Sequence, residues 1–208
     1  MTGLLIAFVI TLLVPLFVGT WRTSLLGLAV QGALMASITF RLHHGEPSLA
    51  LGLSMFDLVF LRALGLPLAV YLVLRAQGAP GRNDVIAPNL FSWGMALALV
   101  VLAFRTADVL VPTEGDDQLL VAVASAALLL GLFVLSTARG VLSQIIGLMR
   151  VENAIALFEL GNGKDHEGLA IRIGQTAVLL LSIGFYRWYL IGLAREESSP
   201  GAAETTAL

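Results

Sequence analysis

The chain has 208 residues, 58% hydrophobic and only 12% charged, with a mean hydropathy of +0.91; soluble domains carry roughly 25% charged residues, so a soluble globular protein is excluded. The formal net charge is -2 and the 12 basic residues are scattered singly, which leaves no basic patch for nucleic acid. With no cysteine, thiolate-held iron-sulfur clusters, the usual structural zinc sites and disulfides are excluded, so any redox metal belongs to partner subunits rather than to this chain.

Runs of about 20 apolar residues recur along the whole length, each long enough to cross a hydrocarbon core of about 30 Å as a helix. The period-two alternation of a membrane barrel is missing. Helices satisfy their own backbone groups in lipid, so the chain reads as an all-α polytopic bundle of about seven spans at 3–20, 23–42, 48–74, 86–111, 118–136, 140–160 and 168–193. Short loops make consecutive spans antiparallel neighbours. Residues 1–194 then form one transmembrane domain, and the small, polar composition of 195–208 predicts a disordered tail.

The first span lacks a basic start and a cleavage pattern, so it reads as a retained helix and not as a secretory signal. In the second, GLAVQGA (27–33) echoes GLMRVENA (147–154) of the sixth if one residue is inserted, pairing Gln31 with Glu152. The echo is short enough to arise by chance between two Leu/Ala/Gly-rich helices. The third span carries Asp57, Arg62 and Pro67. On an α-helix Asp57 and Arg62 stand about 140° apart, and Pro67, lacking an N–H, leaves the Ala63 carbonyl unserved and predicts a kink. In the fourth, Arg105 and Asp108 are three apart and predict a local pair.

The sixth span holds Arg150, Glu152 and Glu159. Arg150 and Glu152 point about 200° apart, so each needs a partner on another helix, whereas Glu152 and Glu159 return to within about 20° of one face, about 10.5 Å apart along the axis. That face is an acidic stripe, and a helix with a basic spot opposite two carboxylates belongs in the interior. Glu159, at the span's end, reads as a solvated residue or as a step outward from Glu152. Arg172 lies about one turn inside the last span.

A charge at mid-bilayer costs about 2.5–3.5 kcal/mol on insertion scales, so these side chains face other helices or water. Two readings stand. In one, Arg62 or Arg150 forms structural ion pairs with Glu152 or Asp57. In the other, Glu152 is a titrating carboxylate on a proton or ion path; burial and a nearby guanidinium act on it in opposite senses. All basic residues but Lys164 are Arg, which stays charged at any reachable pH, so Arg62, Arg150 and Arg172 set fields and accept no protons. Loop residues His43, His44, Glu46 and His166 read as solvated rather than metal-binding. Trp21, Trp93, Trp188 and Tyr189 read as interfacial anchors, and Ser143 and Ser182 as helix-contact residues. No nucleophile has an adjacent base, so there is no self-contained catalytic site.

QIIGLMRVENAIALFEL (144–160) with FLRALGLPLAVYLVLR (60–75) resembles component E of the hydrogenase-4 and formate hydrogenlyase family. That family is similar in its last three helices, here 118–194, to the NuoK-type subunit of complex I and the MrpC-type subunit of sodium/proton antiporters. The resemblance rests on Gly147, Glu152, Asn153 and Ala154 in the penultimate helix and on Arg62 five before Pro67, where the family pattern has Lys. It implies a non-catalytic membrane subunit of a redox-driven complex in the cell's inner membrane. Antiporter-like partner subunits are implied too, with Glu152 titrating, Arg62 and Arg150 as its electrostatic partners, and Asp57, Arg172 and Glu159 flanking. Against the NuoK type, the intramembrane acid of that subunit falls at Met149, one turn before Glu152, and the last helix offers Arg172 and Gln175 where an acid is expected. A purely structural scaffold and a stand-alone small transporter are the alternatives.

Arg22, Arg75, Arg82, Arg139, Arg187 and Arg195 fall on one side of the membrane, and Arg41, Arg105 and Lys164 on the other. The positive-inside bias makes the first side cytoplasmic. Reporter fusions are expected to place the N-terminus outside and the C-terminus inside; a cytoplasmic N-terminus would require an even number of spans.

Overall fold

The computed structural model describes residues 1–18, 20–43, 49–76, 90–111, 115–137, 140–161 and 169–197, and every regular element among them is helical. In chain order these are α1 (Thr2–Phe17), α2 (Trp21–Leu42), α3 (Leu49–Met55), a π-helical segment (Phe56–Gly65), α4 (Leu66–Ala76), α5 (Leu90–Leu110), α6 (Asp116–Thr137), α7 (Val141–Gly161) and α8 (Leu169–Glu197). Trp21–Leu42, Leu51–Arg75, Leu90–Leu110 and Asp116–Thr137 are long and apolar enough to cross a membrane. The protein is a helical membrane protein. Its last helix runs to Glu197, past the expected start of a polar tail at 195; residues 198–208 lie outside the described residues, as do His44, Glu46 and His166.

Local chemistry sets the helix ends. Thr20 caps α2, its Oγ1 accepting the Thr23 N–H at 3.3 Å and contacting the Thr23 hydroxyl. At the other end His43 donates its backbone N–H to Thr39 and its ring contacts the same carbonyl. Asp116 and Asp117 open α6, where the helix dipole favours negative charge.

Small residues draw the helices together. Gly131 on α6 faces Val151 and the Arg150 Cβ, and Gly147 on α7 faces Val134 and Leu135, so α6 and α7 approach closely, as small residues permit inside membranes. The buried side of α5 is Ser92, Ala96, Ala103 and Ala107, set against α6, while Leu97, Val101 and Val109 stay exposed. Exposed apolar side chains on α5 and α8 are the outer surface expected where the solvent is hydrocarbon.

Two apolar clusters fill the interior. One gathers α1, α6 and parts of α2 and α7, including Phe8, Met35, Leu130 and Leu157. The other gathers α2, α4, α7 and α8, including Leu28, Val70, Ile146 and Tyr186. Between them, at mid-length on each helix, lie the buried polar residues Gln31, Arg62, Arg150 and Asn153. Trp21 belongs to the second cluster, only 9% exposed and 5.5 Å from the Tyr71 ring, with the Arg22 guanidinium over its face. It is therefore a core residue, not the interfacial anchor expected. Trp93, Trp188 and Tyr189 are exposed.

The third rod departs most from expectation. An α-helix with a kink at Pro67 is replaced by the π segment, in which each N–H bonds five residues back. That register persists to Leu66, whose N–H donates to the Leu61 carbonyl. The next donor in the series would be residue 67, a proline without an N–H, and from there the chain continues as α4.

Gly32 on α2 lies against the backbone of this segment: a Cβ there would stand 2.7 Å from the Ala63 nitrogen and 2.8 Å from its Cα. Gly32→Ala is expected to cost about 1–3 kcal/mol, as overpacking against an unyielding partner does. Gly52→Ala, with nothing within 4 Å, should be near neutral. Unfolding in detergent micelles compares the two.

Candidate functional site

The π segment creates the site. Bonding five residues back stacks residue 62 nearly over residue 57, so Asp57 and Arg62, expected about 140° apart on an α-helix, meet in an ion pair with Arg62 Nε donating to Asp57 Oδ2 at 2.9 Å. Their side chains are only 9% and 16% exposed. The same guanidinium reaches across to α7, where Nη1 donates to the Glu152 main-chain carbonyl at 3.1 Å and to Asn153 Oδ1 at 3.2 Å. A helical carbonyl has a second lone pair for such a contact.

The network continues through uncharged groups. Asn153 Nδ2 donates to Gln31 Oε1 at 3.4 Å, and Gln31 Nε2 donates to the Thr11 carbonyl at 3.3 Å. The polar layer thus links α1, α2, the π segment and α7. Gln31 meets Asn153, one residue beyond the position the internal echo pairs it with.

Glu152 turns toward α8. The Tyr186 hydroxyl donates to Glu152 Oε1 at 3.5 Å, and the Ser182 hydroxyl, one turn earlier, also acts on the carboxylate. Arg62 and Asp57 are the charges that bear on it. Glu152 Oε2 and Asp57 Oδ1 are buried and without hydrogen-bond partners among the described residues. Unsatisfied buried acceptors are costly, so these oxygens mark where the layer has spare capacity for a proton or a donor.

Several sequence-based expectations are corrected. Arg150 is buried at 2% exposure and sits on the α6 side of α7, beside Gly131, whereas the Glu152 carboxylate turns to α8. The 200° separation along α7 carries the two side chains to different neighbours. Arg62 pairs within its own rod rather than tying helices by an ion pair, and grips the backbone of residue 152 instead of its carboxylate. Ser182 does make the helix contact expected of it, facing Glu152 of α7 from α8. Asp108 takes the Gln118 side-chain amide at 3.1 Å, bridging α5 and α6, in place of Arg105.

Glu159 lies further along α7, partly buried. The interior placement of α7 holds for its polar face, while Leu148 and Ile155 are exposed. The backbone of Arg172 lies in α8, and its side chain is outside the described residues, as is that of Gln175. Among the described residues no group of His, Asp and Glu is placed to hold a metal ion.

Tyr186 and Ser182 were legible only as a face. Leu179, Ser182, Ile183 and Tyr186 recur at the 0, 3, 4, 7 spacing of a buried helix stripe. Comparison with models of protein families, with curated proteins and with solved structures finds no match.

Arg62→Ala strands the Asp57 carboxylate in the interior, and removing one partner of a buried pair costs about 3–5 kcal/mol. Asp57→Asn combined with Arg62→Ala should cost clearly less than the sum of the single changes. A double-mutant cycle on unfolding in micelles measures the difference.

Proposed function

We propose that the chain is a membrane subunit of a complex-I-like energy-converting complex of the hydrogenase-4 type, which contributes to proton or sodium translocation coupled to redox chemistry in partner subunits. It crosses the cell's inner membrane about seven times, with the N-terminus outside and the C-terminus cytoplasmic, beside antiporter-like partners. Glu152 is the titrating carboxylate. Arg62 is its electrostatic partner, and Asp57 anchors Arg62.

The observation that carries this reading is the Glu152 carboxylate itself. It lies at mid-helix in the field of the Asp57–Arg62 pair, with one oxygen touched by Tyr186 and the other buried without a partner among the described residues. A carboxylate between desolvation and a nearby guanidinium changes its protonation with small movements of that guanidinium. The resemblance carried by 60–75 and 144–160 supports the reading, since these two segments meet where Arg62 contacts residues 152 and 153.

One observation favours a second reading, a scaffold. Arg62 holds the main-chain carbonyl of Glu152 and the Asn153 amide, contacts that do not depend on the charge of Glu152. Under the first reading Glu152→Gln abolishes coupled ion transport and leaves the amount of assembled complex unchanged. Under the second it leaves transport intact per assembled complex, while Asn153→Ala reduces assembly. Ion uptake into inverted membrane vesicles, set against the quantity of complex recovered by gentle extraction, separates them.

A further inference from the structure

The face that α8 turns inward has no part in the Arg62 clasp, yet it brings two hydroxyls to the carboxylate of Glu152. Tyr186 is 7% exposed and its ring is packed in the apolar cluster of Val70, Ile146 and Met149. On one side the ring borders a gap between α4, α7 and α8, too narrow for a water and lined also by Leu66, Ala69, Val70, Met149, Ile183 and Arg187. A ring held this way has little freedom, and its hydroxyl is delivered to one place. That place is Glu152 Oε1, at 3.5 Å.

We infer that Tyr186 is the positioning residue for Glu152: its hydroxyl occupies Oε1 and orients the carboxylate so that Oε2 is the oxygen through which a proton is exchanged. The inference rests on Glu152 being the titrating group. The groups facing it are Arg62 and Asp57 from the π segment and Ser182 and Tyr186 from α8. Gln31, which reaches Asn153 from α2, is uncharged. Of these, only Tyr186 combines a hydrogen bond to the carboxylate with a ring fixed by packing.

The test uses a hydrophobic carbodiimide on the assembled complex in its native membranes. The reagent adds a protonated carboxyl across one C=N bond, the oxygen going to carbon and the proton to nitrogen, and the adduct on Glu152 is read by peptide mass. Tyr186→Phe removes the hydroxyl and keeps the ring. It is expected to raise the labelling rate at Glu152 roughly tenfold at pH 7, as loss of a hydrogen bond to a charged group permits, and to displace the pH profile of ion transport. Tyr186→Met, which keeps an apolar side chain in the same cluster without a hydroxyl, gives the same rise and serves if the Phe variant assembles poorly.

Equal labelling in wild type and both variants overturns the inference, and so does a wild-type Glu152 that takes no label when neither variant does. If Glu152→Gln leaves transport intact, the functional reading fails, while the labelling ratio still reports on Tyr186. If that substitution stops transport and the ratio is one, only the role of Tyr186 falls.

Discussion

The interior of this protein is organised around one guanidinium. Arg62 sits where two apolar clusters meet and holds Asp57 on its own rod and the backbone and side chain of residues 152 and 153 on α7. Charge at this depth is tolerable only if paired and hydrogen-bonded, since the desolvation of an isolated ion amounts to several kcal/mol. Arg suits the position because its planar fork serves several acceptors at once, which a lysine ammonium does with less geometric definition. The polar chain through Asn153 and Gln31 to Thr11 extends the satisfaction of the layer to α1.

That arrangement depends on an irregular helix. In ordinary α geometry Asp57 would face away from Arg62, and the guanidinium would cross to α7 without its counter-charge. The π register supplies the alignment, and Pro67 explains where the register stops. Gly32 completes the arrangement by letting the π segment lie almost directly on α2, which brings Ala63 and its neighbour Arg62 within reach of the layer.

The division of labour on α7 follows from helical spacing. Arg150 is directed to α6, Asn153 to Arg62 and Gln31, and the Glu152 side chain to α8. On this helix Glu152 has the one buried carboxylate oxygen without a hydrogen-bond partner among the described residues. The proposed transport role and the role of Tyr186 both grow from that asymmetry, while the clasp through Arg62 serves stability whichever way the carboxylate is used.

Much of this was legible in the residues. Long apolar runs fixed the helical class and the membrane as solvent, because backbone groups in lipid have no other means of satisfaction. Buried charge marked Asp57, Arg62, Arg150 and Glu152 as the residues to follow, and spacing on α7 correctly separated Arg150 from Glu152. What the sequence could not decide was which groups meet. Pairing of Asp57 with Arg62 required a helix register that no local pattern announces, and nothing local in the chain marks the Tyr186 and Ser182 hydroxyls as neighbours of Glu152, which depends on how α8 lies against α7. Apolar length and charge cost are properties of the chain and its solvent, so sequence determines them; partner choice depends on helix register and inter-helix distance, which only the packed structure supplies.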